Sequence, residues 1–125
     1  CKYVMIDRER MRRVILNIIG NSCKYMDKEQ GEITLNLRET NSSIIIEIRD
    51  NGSGIDNDDI NKIFYRFYRS DTARSGAKGS GLGLSIAKQI VEGHKGRIWA
   101  VSHGDEGTSI MISLGKVMGN KQVEN

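Results

Sequence analysis

A chain of 125 residues with 38% hydrophobic and 28% charged side chains suits one globular domain built on one core and excludes a disordered polymer. Its net charge of +3 is spread along the chain among 16 acids, with 6% aromatics and no basic block, which argues against a nucleic-acid surface and leaves smaller anionic ligands open. No stretch approaches the roughly 20 apolar residues that a membrane-spanning helix needs. The chain opens at Cys1 rather than Met and shows no secretory signal, so it is expected to be a piece of a longer protein. Cys1 and Cys23 lack metal-ligand spacing, and Cys23, inside an apolar helical pattern, is expected to be a reduced core residue in a cytosolic setting.

From Asp7 to Met26 the apolar residues Met11, Ile15, Ile18, Ile19 and Met26 recur at helical spacing and predict one buried face. Glu32 to Leu37 alternates, with Ile33, Leu35 and Leu37 on one side of a half-buried strand. The turn-like ETNSS at 39–43 and the apolar Ile44 to Arg49 complete an antiparallel hairpin. DNGSG at 50–54 breaks the pattern, and Asp56 or Asn57 then caps a short predicted helix ending near Phe64. Residues 68–81 hold no apolar period and read as a long binding loop or lid. Leu82 to Gly93 resumes a helix with Leu82, Ile86 and Ile90 on one face. Arg97 to Ser102 and Thr108 to Leu114 are two further strands joined by HGDEG, and a polar tail at 116–125 is expected to fray. The order predicts an α+β sandwich of two layers, a mixed and mostly antiparallel sheet with about three helices on one face, in a domain at 1–115.

Three stretches could carry chemistry. Asn17, Asn21, Lys24 and Tyr25 fall at i, i+4, i+7 and i+8 on one helix stripe. Such a stripe is either a solvated face or, since asparagine is a mediocre helix former, a set of ligands for Mg²⁺ and phosphate oxygens. DNGSG is either a tight turn or a site where Asp50 accepts from an exocyclic amine while glycines let a flat ring approach. GSGLGLSIAK at 79–88 fits neither the Walker loop nor the Rossmann fingerprint. It is left as a flexible linker or as a glycine-rich anion site at a helix start.

In this order the stretches resemble the catalytic, ATP-binding domain of bacterial two-component sensor histidine kinases, which has the Bergerat (GHKL) fold shared with gyrase, Hsp90 and MutL. NIIGNSCKY at 17–25 is similar to that family's N box, DNGSG to its G1 box and FYRFYRSD at 64–71 to its F box. GSGLGL at 79–84 is similar to G2, and Gly107-Thr108 to the last glycine motif. The resemblance implies that Asp50 binds the adenine amino group, with Gly52, Gly54 and Ile55 shaping the ring pocket, Tyr25 against the ring and Thr108 closing it. It implies Asn21 as the main Mg²⁺ ligand with Asn17 beside it, and Lys24 and Arg69 as the cations that neutralise the triphosphate. Gly79, Gly81 and Gly83 would let a lid over about 68–82 fold on the phosphates, with N–H groups from the helix at Leu82 and Leu84. Phe64, Phe67 and Tyr68 are expected to anchor the lid rather than to touch ligand.

Gyrase, Hsp90 and MutL carry a water-activating glutamate one turn before the Mg²⁺ asparagine. Here that position is Asn17, which is no base at neutral pH, so slow hydrolysis is expected. The family's phosphoacceptor motif, a histidine followed by an acid and later a Thr-Pro, is not in this proline-free chain. His94 is expected to be structural and His103 to titrate in solvent. The resemblance implies Mg·ATP as cofactor, a phosphoacceptor and dimerisation domain and a response regulator as partners, a membrane-anchored parent with this domain in the cytoplasm, and a monomeric isolated domain. A serine-kinase anti-sigma factor and a nucleotide-gated module without catalysis are the alternative readings.

Overall fold

The computed structural model describes residues 2–3, 6–24, 29–52, 54–56, 58–65 and 83–118. Helix α1 spans Arg8–Lys24, and Asp7 is its N-cap, with a carboxylate oxygen accepting from Arg10 N–H at 3.1 Å. Met11, Val14, Ile18 and Ser22 form its buried face, and Ile15 and Ile19 flank it. Cys23 lies one residue past that face and is exposed, contrary to the core position expected for it. Met26 lies outside the described residues.

Strands β2 (Ile33–Glu39), β3 (Ser43–Asp50), β4 (Arg97–Ser102) and β5 (Thr108–Gly115) make one sheet in the order β2-β3-β5-β4. Every ladder among the described residues is antiparallel. A small pair, β1 (Lys2–Tyr3) with β6 (Val117–Met118), joins the two ends of the described chain. The fraying expected from Lys116 onward is therefore not seen at 116–118, where Lys116 Nζ also donates to Glu39 and to the Thr40 carbonyl. Residues 119–125 lie outside the described residues.

Helix α2 spans Gly83–Gly93. It packs on α1 and β4, and α1 packs on β3, so both helices cover one face of the sheet. Ile48, Ile110, Ile112 and Leu114 face Val14, Ile18, Leu84, Ala87 and Val91 in the core. Burying each of the larger aliphatics fully contributes about 1.5–3 kcal/mol. The buried stripe of α2 is Leu84, Ala87 and Val91, about one residue round from the predicted Ile86 and Ile90, which are half-buried. Leu35 and Leu37 share the helix-facing side but are 58% and 69% exposed, because β2 is the sheet edge and the helices sit over β3 and β4. The short helix expected to end near Phe64 is a chain of i→i+3 turns, Asp59 N–H to Asp56 O and Lys62 N–H to Asp59 O, closing in a 3₁₀ turn at Lys62–Phe64. Ile63 and Phe64 are driven into the core below α2.

Candidate functional site

Strand β3 alternates core and outer positions, so Asp50 follows Ile46 and Ile48 on the helix-facing side of the sheet. The chain bends at Gly52, and one Asp50 carboxylate oxygen accepts from Gly52 N–H at 2.9 Å and, more weakly, from Thr108 N–H at 3.3 Å. The other carboxylate oxygen takes no hydrogen bond among the described residues. Asn51 does different work from its neighbour. Its amide accepts from Glu32 N–H at 2.9 Å and donates to the Gln30 carbonyl at 3.1 Å, tying the start of β2 to the end of β3.

The turn between β4 and β5 presses on this loop. Gly107 has φ 111, and a Cβ there would lie 1.9 Å from the Asp50 carbonyl oxygen. Gly54 has φ 83, and a Cβ there would lie 2.2 Å from the Gly104 carbonyl oxygen. Both positions require glycine for conformation and for space. Ser102, at the end of β4, accepts from Ile55 N–H at 3.2 Å. Thus Asp50, Gly52, Gly54, Ile55 and Thr108 come together as one cluster, with Thr108 buried and Ile55 packed against the core.

A second cluster forms between the helices. Asn17 and Gly83 meet, since a Cβ on Gly83 would stand 3.9 Å from Asn17 Cβ. This places a carboxamide beside the first turn of α2, whose N–H groups lack intrahelical acceptors. The Asn17 side-chain nitrogen is buried and has no hydrogen-bond partner among the described residues. Asn21, half-buried, follows one turn along α1, while Leu84 points its side chain into the core and offers only its backbone. Lys24 ends α1. Tyr25, Arg69, Gly79, Gly81 and Leu82, Phe67 and Tyr68, and the lid at 68–82, lie outside the described residues.

Two histidines turn out to be held. His94 donates through Nδ1 to the Ile90 carbonyl at 2.8 Å, and its Nε2 accepts from Asp7 N–H at 2.8 Å, which requires the neutral Nδ1–H form. His103, expected to face solvent, is half-buried with Nε2 at 2.9 Å from Ser109 Oγ. Ser109 donates in turn to Glu47 at 2.6 Å, so His103 supplies the proton of its own bond. A groove of about 520 Å³ lies on the sheet face away from the helices, lined by Glu32, Thr34, Asn36, Arg49, Asp50, Asn51, Asp105 and Glu106. Its acid-rich wall suits no polyphosphate.

Compared with known families, residues 6–117 match the histidine kinase-, DNA gyrase B- and HSP90-like ATPases. The chain belongs to that family. It is 43% identical over 115 residues to the sensor histidine kinase WalK of Bacillus subtilis (strain 168), covering 90% of this chain and 19% of that protein. The chain thus spans about a fifth of the length of the curated relatives it matches. Among solved structures, the mycobacterial sensor histidine kinase MprB superposes with a TM-score of 0.82 at 33% identity, over 90% of this chain and 76% of that one. The nucleotide-free catalytic domain of histidine kinase ThkA gives 0.75 at 26% identity, over 90% and 71%. The fold is therefore the two-layer α+β Bergerat fold, with ATP as the family's nucleotide.

For a metal, the donor set has a definite character. Among the described residues no three His, Cys, Asp or Glu side chains gather as a cation site. Asn17 and Asn21 offer neutral amide oxygens, and amide oxygen and nitrogen are interchangeable by rotation. The orphaned amide nitrogen of Asn17 would be satisfied by a phosphate oxygen, or, after exchange with its own oxygen, the amide would turn that oxygen to a cation. A Mg²⁺ ion that arrives on nucleotide phosphates and keeps its waters fits these residues.

Proposed function

We propose that this chain is the ATP-binding catalytic domain of a two-component sensor histidine kinase. It holds Mg·ATP and presents the γ-phosphoryl group to a histidine in a dimerisation domain outside this chain, from which a response regulator takes it. The observation that carries the reading is the Asp50 carboxylate. It is fixed at a strand end by Gly52 and Thr108 N–H groups, with its second oxygen free among the described residues to accept from an adenine amino group.

The roles divide between the two clusters. Gly52, Gly54, Ile55 and Thr108 shape the base pocket around Asp50, with Tyr25 against the ring. Asn17 and the N–H groups of Gly83 and Leu84 bind phosphate oxygens, Asn21 holds the metal with Asn17 beside it, and Lys24 and Arg69 neutralise charge. Mg²⁺ held by Asn21, with Asn17 beside it, would supply positive charge against the triphosphate. Gly79 and Gly81, with Leu82, let the lid fold over the triphosphate. Phosphoryl transfer asks the protein mainly for positioning and electrostatics, which these residues supply. With Asn17 where a water-activating base would stand, the domain is expected to hold ATP for transfer rather than to hydrolyse it. The isolated domain acts as a monomer. The parent is anchored in the membrane with this domain in the cytoplasm; among the described residues no helix is long and apolar enough to cross a membrane.

Replacing Asp50 by Asn puts an amide where the adenine amino group needs an acceptor. Calorimetric titration with Mg·ATP should show binding lost or weakened at least about 100-fold, as for a buried donor facing a donor. Unchanged affinity would remove Asp50 from the site.

A further inference from the structure

We infer that Ser102 is a positioning residue for base selectivity, one that sets the Gly54–Ile55 wall at a fixed height above the Asp50 carboxylate. The inference rests on the adenine reading of Asp50. Ser102 and Thr108 are directly opposite each other on the β4–β5 ladder. From that one rung, Thr108 N–H reaches Asp50 at 3.3 Å and Ser102 Oγ takes Ile55 N–H at 3.2 Å. The two ends of the DNGSG loop are thus tethered to the same rung, one at the carboxylate and one at the far wall. Ser102 Oγ also accepts, weakly, from Gly104 N–H at 3.4 Å, holding the turn whose Gly104 carbonyl presses on Gly54. Ile55 is packed against the core, so its N–H direction is set from both sides.

Without the hydroxyl, Ile55 N–H loses its acceptor among the described residues and the wall is tied at its Asp50 end only. A pocket tied at one end still binds a purine triphosphate but separates an amino group from an oxo group less well. Discrimination by a hydrogen-bonding site depends on its polar groups being held where the wrong partner leaves them unpaired.

The test is calorimetric titration of the 125-residue chain with Mg·ATP and with Mg·GTP, read as the ratio of the two dissociation constants. Ser102→Ala should lower the GTP-to-ATP ratio about fivefold, the worth of one lost hydrogen bond, mainly by weakening ATP. Ser102→Thr keeps the oxygen and should stay within about twofold of the parent ratio, whereas Ser102→Val, of nearly the same shape, should behave as the alanine variant does. The Thr and Val pair carries the test if the alanine variant does not fold. A ratio that holds while both nucleotides weaken equally means Ser102 only supports the fold, and overturns the inference; so does no change at all. Asp50→Asn serves as the reference, read as its affinity for Mg·ATP. If that affinity falls as expected and the Ser102 variants keep the parent ratio, the inference fails alone. If that affinity does not change, the adenine reading fails and takes the inference with it.

Discussion

Glu47 shows how one side chain on the outer face of the sheet is coupled to acid stability. The Ser109 hydroxyl that donates to it at 2.6 Å holds its carboxyl below the ordinary value, against an opposing push from burial. Asn36, Arg49 and His103 add to the lowering. A carboxyl with a folded pKa below its unfolded value contributes stability that is full above the unfolded value and is lost as pH falls through the folded one. Glu47→Gln should therefore flatten the acid limb of the stability curve below about pH 4.5, measured by urea unfolding at neutral pH and at pH 3. A variant that loses stability as steeply as the parent places the acid sensitivity elsewhere. Ser109→Ala, which leaves both Glu47 and His103 without this buried bridge, should cost about 1–3 kcal/mol at pH 7. Residues of this kind were hidden in the sequence. Asp50 announces itself by its spacing to Gly52 and Gly54, but Ser102 acts on Ile55 across 47 positions and His94 on Asp7 across 87, and no local pattern encodes such pairs.

At the scale of an element, α2 ends in a way that its sequence disguises. Gly96 N–H bonds to the Val91 carbonyl and Lys95 N–H to that of Glu92, the double closure of a Schellman motif, with Lys95 in the left-handed position at φ 62. Glycine is the residue that takes this conformation without strain, and a lysine there costs about 1 kcal/mol. Lys95→Gly should raise the denaturation midpoint by the equivalent of about 0.5–1 kcal/mol with an unchanged m value. A loss of stability instead would mean that the lysine's restriction of the unfolded chain outweighs the strain. The adjacent Gly96 does not have the same freedom to change. A Cβ there would meet the Ser113 carbonyl at 2.6 Å. Periodicity located both α-helices and all four strands of the main sheet, since each contributes enough apolar residues to reveal its period. It did not locate which neighbour covers which face. The alternation of Ile33, Leu35 and Leu37 is present, yet Leu37 is exposed, because the position of β2 at the edge is a property of the sheet and not of the strand. The i→i+3 turns before Phe64 look helical in sequence because acids at Asp58 and Asp59 suit a helix start, while only Ile63 and Phe64 have a core to enter.

For the whole molecule, the helices form an antiparallel pair whose two ends do different things. His94 meets Asp7 at one end, and Gly83 meets Asn17 toward the other. The 11 residues of α2 put about 16 Å between them. The Asp50 cluster belongs to the sheet and its turns, and the Asn17–Gly83 cluster to the helix pair. A nucleotide that occupies both therefore joins the two layers, and its binding should appear as global stability. At a free concentration of 100 times its dissociation constant, Mg·ATP should add about 2.7 kcal/mol to unfolding. In Asn21→Ala that gain should fall sharply when Mg²⁺ is present, while in EDTA the variant and the parent should gain nearly the same from ATP. Thermal unfolding with and without nucleotide, in both buffers, measures all four quantities. If Asn21→Ala loses as much in EDTA as in Mg²⁺, Asn21 contacts the phosphates directly or shapes the helix, and the metal is held by something else. If the parent gains nothing from the nucleotide in either buffer, the two clusters do not act on one ligand, and the layers are held together by the apolar core alone.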